Sequence, residues 1–222
     1  MSLEEKAAFV RDLLLDFFGF PQWRPPLSAL DELVSTVLSQ NTNDANRDRA
    51  FLALKSRFPN WEAVRDSNPE FVVDTIRPAG LANQKGPRIQ QILKVISNER
   101  GALDIDFLAS LPVEEARSWL LKFNGVGPKT AAIVLLFSLS KPAFPVDTHI
   151  YRVTGRIGLR AEKLSVEQAH AHLEKLFPPE TYFDLHLNLI RLGREICQSR
   201  KPKCPQCPLQ AVCNYYFIIR QH

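Results

Sequence analysis

Two groups of side chains in this sequence invite chemistry. The first is a lone amine. Lys129 stands in the stretch NGVGPKTAAIVLLF (124–137), one residue after Pro128 and just before the apolar block Ala131 to Phe137. A helix starting at Pro128 places Lys129 in its first turn, at the positive end of the helix dipole, where a cation gains least. The block that follows is apolar all round, the pattern of a buried helix, so the amine begins from partly dry surroundings. Desolvation and the dipole both favour the neutral amine, the form that attacks carbon. Lys129 is therefore a candidate nucleophile.

The second group is a set of thiols. Cys197, Cys204, Cys207 and Cys213 are the chain's four cysteines and fall within 17 residues as C-x6-C-x2-C-x5-C. A disulfide framework is normally spread through a small secreted domain, whereas clustering of this kind describes a ligand set. Four thiolates suit either tetrahedral zinc or a [4Fe-4S] cube, and the spacing leaves both open. For either metal, a structural staple is favoured over redox chemistry. Between the first two cysteines, SRKPKC brings Arg200, Lys201 and Lys203 together beside a proline, as a solvated loop or as a phosphate contact.

Eighteen residues beyond Lys129 lies Asp147, in FPVDTHIYRV. Its position just before an amphipathic stretch makes it an N-cap, a role that leaves a carboxylate free to act in a cleft as well. His149 reads as a packed or backbone-contacting histidine rather than a base.

These residues need elements to position them. Apolar spacing of three and four recurs in LDELVSTVLSQ, RIQQILKVI and VEEARSWLLKF, and two-residue alternation is scarce, so the chain is all-α. Sixteen prolines and short polar joints cut it into about a dozen helices. NGVG then joins two helices in a tight hairpin. Gly125 and Gly127 clear the outer face of the turn and supply backbone angles that other residues resist, so a phosphate can rest on amide groups around Val126 and at the second helix's start. Proline clusters in PQWRPP and SKPAFP are the candidate seams between domains. The longest apolar run, Ala131 to Phe137, is seven residues, against the ~20 needed to span a bilayer. The N-terminal FVRDLLLDFFGF is broken by Arg11, Asp12 and Asp16 and reads as an amphipathic helix of a cytosolic or nuclear protein. A net charge of +4 permits an anionic partner without requiring one.

In order along the chain, these motifs resemble the endonuclease III branch of helix-hairpin-helix DNA glycosylases. NGVGPKTA is similar to the family hairpin, VDTHIYRV to its catalytic-aspartate segment, and C-x6-C-x2-C-x5-C to its [4Fe-4S] loop. VLSQNTND and AGLANQKGPRIQQI are similar to its two minor-groove loops. The resemblance implies Lys129 as the Schiff-base lysine, Asp147 as the catalytic aspartate, and the four cysteines as cluster ligands. It implies DNA contacts at Asn41, Leu81, Gly125, Val126, Gly127, His149, Arg200, Lys201 and Lys203. The implied fold has a six-helix domain carrying the hairpin (28–141) and a discontinuous helical domain with the cluster loop (1–27 and 142–222), with the active cleft between them. The implied partner is double-stranded DNA holding a damaged base or abasic site, bound by a monomer. Its implied location is the cytoplasm of a bacterium or archaeon, on the nucleoid, or the nucleus of a eukaryote.

The sequence departs from the family pattern in places. Phe123 and Asn124 precede the turn where Leu-Pro is common, Pro128 replaces a basic residue, and Asn41 aligns with a glutamine one methylene longer. The expected activity is bifunctional: removal of an oxidised pyrimidine through a lysine imine, then strand nicking by β-elimination. One rival is a monofunctional glycosylase acting on mismatched thymine or uracil. The other is a non-catalytic, redox-sensing iron-sulfur module that binds DNA.

Overall fold

The computed structural model describes residues 1–22 and 25–220. Trp23 and Arg24, inside the expected seam PQWRPP, lie outside the described residues, as do Gln221 and His222. In chain order the α-helices are α1 (Leu3–Phe18), α2 (Ala29–Ser39), α3 (Asp44–Arg57), α4 (Trp61–Asp66), α5 (Pro69–Thr75), α6 (Ala82–Arg100), α7 (Val113–Leu121), α8 (Pro128–Phe137), α9 (Thr148–Ile157), α10 (Val166–Leu176), α11 (Tyr182–Glu195) and α12 (Asn214–Ile219). Among the described residues there is no strand, and no helix is long and apolar enough to cross a membrane. The chain divides into two compact units, Met1–Pro25 with Pro142–His222, and Pro26–Lys141.

In the unit Pro26–Lys141, α8 packs against α2 and α7. Its apolar run finds partners on more than one side, and Ala131, Ala132, Val134, Leu135 and Phe137 are buried. The facing surface of α2 buries Leu30, Leu33, Val34, Val37 and Leu38. At about 2 kcal/mol for each fully buried leucine or valine, this contact anchors the end of the hairpin that carries Lys129. The resemblance implies six helices here, but the described residues hold seven, α2 to α8. The extra break is made by asparagine. Asn60 caps α4 by accepting from the Ala63 amide, and Asn68 caps α5 by accepting from the Glu70 amide, so residues 61–75 form two short helices.

In the other unit, α9 packs against α11 and α12, and α1 against α11. α9 buries Ile150, Val153, Thr154 and Ile157 on one face and stops at Gly158, whose φ of +89° lies in the left-handed region. The Phe144 ring sits 5.3 Å from that of Phe177 and 5.4 Å from that of Tyr182, forming the aromatic centre beneath the segment that leads to Asp147. Lys6 of α1 donates to the Ile157 carbonyl at 2.7 Å and to Asn214 Oδ1 at 2.9 Å, tying the N-terminal helix to the ends of α9 and α12.

Candidate active site

The hairpin joins α7 to α8. The Val126 amide donates to the Phe123 carbonyl at 3.0 Å, closing a turn around Gly125, whose φ is +82°. A Cβ added at Gly125 would lie 2.3 Å from the Arg88 side chain, so glycine is needed for the backbone and for the close neighbour alike. Gly127 differs from the sequence expectation: it is extended (φ −97°) and an added Cβ would meet open space. Its contribution is a clear outer face, not a special backbone angle. Val126 points inward and is buried. No side chain caps α8, and Pro128 at its first position has no N–H, so the amides of Lys129 and Thr130 lack intrahelical partners. Those two donors point out of the helix N-terminus, as an anion site requires. Lys129 is half-buried, and its amine has no hydrogen-bond or ion-pair partner among the described residues.

Two more loops of the same unit carry candidate DNA contacts. Asn41 follows α2 with φ +53°, exposed, its side chain without a hydrogen bond among the described residues. Leu81 precedes α6 with φ +50° and is 46% exposed. Holding a non-glycine residue in this region costs about 1–2 kcal/mol, and such strain collects at functional positions. Among the described residues the non-glycine residues with positive φ are Asn41, Leu81, Ser140 and Lys201, three of them DNA-contact candidates from the sequence.

Side chains that sequence reasoning passed over hold these loops. Gln40 donates to the Gly125 carbonyl at 2.9 Å and accepts from Arg88 Nη1 at 3.1 Å, linking the Asn41 loop to the hairpin. Lys85 donates to the carbonyls of Leu38 and Ala79. The only hint in the sequence is the i, i+3 spacing of Lys85 and Arg88, which also fits a solvated helix face.

In the other unit, Asp147 is the N-cap of α9, and its Oδ1 accepts from the Ile150 amide at 2.8 Å. It is half-buried, and its second oxygen has no other hydrogen bond among the described residues. The cap role read from the sequence is therefore present and leaves one oxygen free. His149 Nδ1 lies 3.2 Å from Arg152 Nη2. A guanidinium can only donate, so Nδ1 accepts and a neutral ring carries its proton on Nε2. Its packing against Gly193 is tight, since a Cβ there would come within 2.8 Å of His149 Cβ.

Arg152 and Arg156, one turn apart on α9, hold the start of the cysteine loop. Arg152 donates to the carbonyls of Gly193 (2.8 Å) and Cys197 (3.0 Å). Arg156 donates to the carbonyls of Gln198 (2.6 Å) and Ser199 (3.0 Å), reaches Cys197 Sγ at 3.5 Å, and lies 4.6 Å from the centre of the Tyr215 ring. The four cysteines are unpaired and line one small cavity with Ile196, Pro202, Tyr215 and Tyr216. Burial is the main cause that raises the thiols of Cys204, Cys207 and Cys213, with Cys207 pushed up to about 11. Among the described residues no three His, Cys, Asp or Glu side chains converge on one metal ion. Arg200, Lys201 and Lys203 are exposed and make no ion pair among the described residues. Lys129 and Asp147 belong to different units.

The family of HhH-GPD superfamily base excision DNA repair proteins matches residues 34–179, which include the hairpin, Lys129 and Asp147. The chain is 32% identical over 197 residues to endonuclease III of Thermotoga maritima, covering 89% of this chain and 88% of that one. The chain belongs to the endonuclease III family of DNA glycosylases. This endonuclease III relative is also 39% identical over 192 residues to a putative DNA glycosylase of Arabidopsis thaliana, covering 82% of its own length and 65% of the plant protein's. Its fold matches a solved structure of a trapped endonuclease III–DNA covalent intermediate with a TM-score of 0.84 at 26% identity, over 100% of both chains.

Proposed function

We propose that this endonuclease III family member is a bifunctional DNA glycosylase/AP lyase that removes an oxidised pyrimidine from double-stranded DNA. The observation that carries the reading is Lys129: an amine without a partner, half-buried, beside two unpaired amides at the start of a buried helix. An amine so placed meets a sugar whose phosphate rests on those amides. A base within a duplex is out of reach, so the nucleotide is extruded first, at a cost of a few kcal/mol that is smaller for a damaged base. Lys129 attacks C1′, the bond from C1′ to the base breaks, and the base leaves with a proton. Asp147, through the oxygen not engaged in capping, stabilises the cationic sugar and helps to move protons. The sugar ring then opens, C1′–O4′ breaking as O4′ takes up a proton, and the resulting imine acidifies the hydrogen on C2′, whose loss expels the 3′ phosphate and nicks the strand. Asn41 and Leu81 occupy the space the base has left. The hairpin amides, with Arg200, Lys201 and Lys203, hold phosphates without reading sequence.

The four cysteines line one apolar cavity, and thiolate ligands suit a [4Fe-4S] cluster of the kind the family resemblance implies. Cys197, Cys204, Cys207 and Cys213 would hold the cluster, which supplies structural anchorage for the basic loop. The protein acts on DNA as a monomer, in the cytoplasm of a prokaryote or the nucleus of a eukaryote.

The test is a panel of duplexes, each with one lesion, scored for nicking without added alkali or heat. An oxidised pyrimidine should be nicked fastest. Base loss from mismatched thymine or uracil without nicking would instead establish the monofunctional reading, and affinity without base loss the non-catalytic one.

A further inference from the structure

Lys85 is among the largest fully buried side chains in the described residues, 1% exposed, and the chemistry outlined above makes no use of it. A lysine leaves water only when its donors are satisfied. Its Nζ donates to the Leu38 carbonyl at 2.7 Å and to the Ala79 carbonyl at 2.8 Å. Leu38 lies in the last turn of α2, three residues before Asn41, and Ala79 lies two residues before Leu81. The Lys85 backbone amide also donates to the Leu81 carbonyl at 3.0 Å. One residue thus grips both exposed, positive-φ loops, one turn along α6 from Arg88, which meets Gln40 and Gly125.

We propose that Lys85 is a positioning residue for base extrusion, clamping the Asn41 and Leu81 loops to one another so that the two side chains enter the duplex as a single preformed wedge. Untied, each loop would have to be ordered as it enters the DNA, and that entropy would oppose extrusion. Tied, the cost is met during folding. Burial, and after it the Arg88 charge, pulls the Lys85 pKa below the ordinary lysine value. Loss of the charge would not release the clamp, because a neutral amine keeps two N–H groups for the two carbonyls. Lys85 is distinct from the nucleophile: its amine is consumed by backbone carbonyls, whereas that of Lys129 has no such partner.

The inference rests on the proposed wedge role of Asn41 and Leu81, and the test separates the two. Single-turnover cleavage is measured on a lesion duplex and on the same lesion in a single strand, which has no stack to refill. Lys85→Met, of similar length but without donors, should slow the duplex reaction about ten- to a hundredfold, the scale of small misplacements. The single-strand rate should stay within about twofold of the parent, since no wedge is needed there. The double variant Lys85→Met, Leu81→Ala should be hardly slower than Lys85→Met alone, because both changes disable one device. Should Lys85→Met fail to fold by circular dichroism, Lys85→Gln, which keeps an amide donor for one carbonyl, carries the same comparison and should show a smaller loss confined to the duplex. Equal losses on both substrates, full additivity with Leu81→Ala, or an unchanged duplex rate in a folded variant would overturn the proposal. If Asn41→Ala and Leu81→Ala both leave duplex cleavage unchanged, the wedge reading falls and takes the clamp with it. If they slow it and the Lys85 variants do not, the clamp alone is wrong.

Discussion

The loops around Asn41, Leu81 and Gly125 and the loop from Cys197 to Cys213 face the same difficulty: each must hold irregular backbone still, away from a helix. They solve it differently. In the first region protein atoms suffice, because Lys85 and Gln40 satisfy carbonyls at the loops, Arg88 donates to the Gln40 side chain, and hydrophobic packing of α2 on α8 lies beneath. In the second, Arg152 and Arg156 secure residues 197–199, the Lys203 amide donates to the Ile196 carbonyl, Gln210 donates to the Pro205 carbonyl, and Cys204–Gln206 and Gln210–Val212 are three-residue 3₁₀ turns. At its centre, burial raises the thiols of Cys204, Cys207 and Cys213, so without a bound cation these side chains stay neutral and make only weak hydrogen bonds. One region is complete in itself. The other has a small cavity at its centre, lined by its four cysteines.

Loss of the proposed cluster is the most damaging way to probe the contrast. Structural metal binding is worth on the order of 10 kcal/mol, so Cys207→Ala should cost the protein its iron and leave 197–213 open to protease. DNA affinity should fall with it, while amide exchange in 26–141 stays as in the parent. Equal loss of protection in both units would erase the distinction between them.

A change that leaves both regions folded sharpens it. Asparagine caps a helix as well as aspartate does, so Asp147→Asn should preserve α9 and the melting temperature. Base release should slow by about 10²- to 10⁴-fold, the range for loss of a positioned acid or base, with DNA binding retained. Equal falls in binding and base release would confine Asp147 to capping.

The smallest effect is expected in the self-sufficient region. Asn41 makes no hydrogen bond within the described residues, so Asn41→Ala should leave stability within about 0.5 kcal/mol of the parent, as for most surface substitutions. It should slow cleavage of a duplex lesion by about tenfold, one or two hydrogen bonds to the opposite base, and leave single-strand cleavage unchanged. Asn41→Gln should restore the duplex rate. Single-turnover rates beside a melting curve decide it, because a loop tie would show as lost stability and parallel losses on both substrates.

The contrast also explains what could be read from the sequence. α9 was fully legible, from Thr148 to Ile157, because the Asp147 cap, the one-sided apolar face and Gly158 all mark it locally. The four cysteines were legible as a cluster through spacing alone, and they line one cavity. Lys85, Gln40, Arg88, Arg152 and Arg156 were not. Their partners lie elsewhere in the fold, as with Lys85 and Leu38, 47 residues apart, or Arg152 and Cys197, 45 apart. Most of those partners are backbone carbonyls, which every residue possesses. A charged side chain on a helix gives the same local signal whether it meets water or a distant loop. The break between α4 and α5 was legible as well, because the polar joint SNPE (67–70) marks it locally and Asn68 caps the helix that follows.

Lys129 carries the proposed chemistry, and borohydride trapping tests it most directly. Reduction of the imine during turnover should yield a covalent protein–DNA species from the parent, with peptide mapping placing the adduct on Lys129. Lys129→Gln, folded and DNA-binding, should yield none and should not nick. Undiminished trapping with the glutamine variant would assign the imine to another amine and contradict the mechanism.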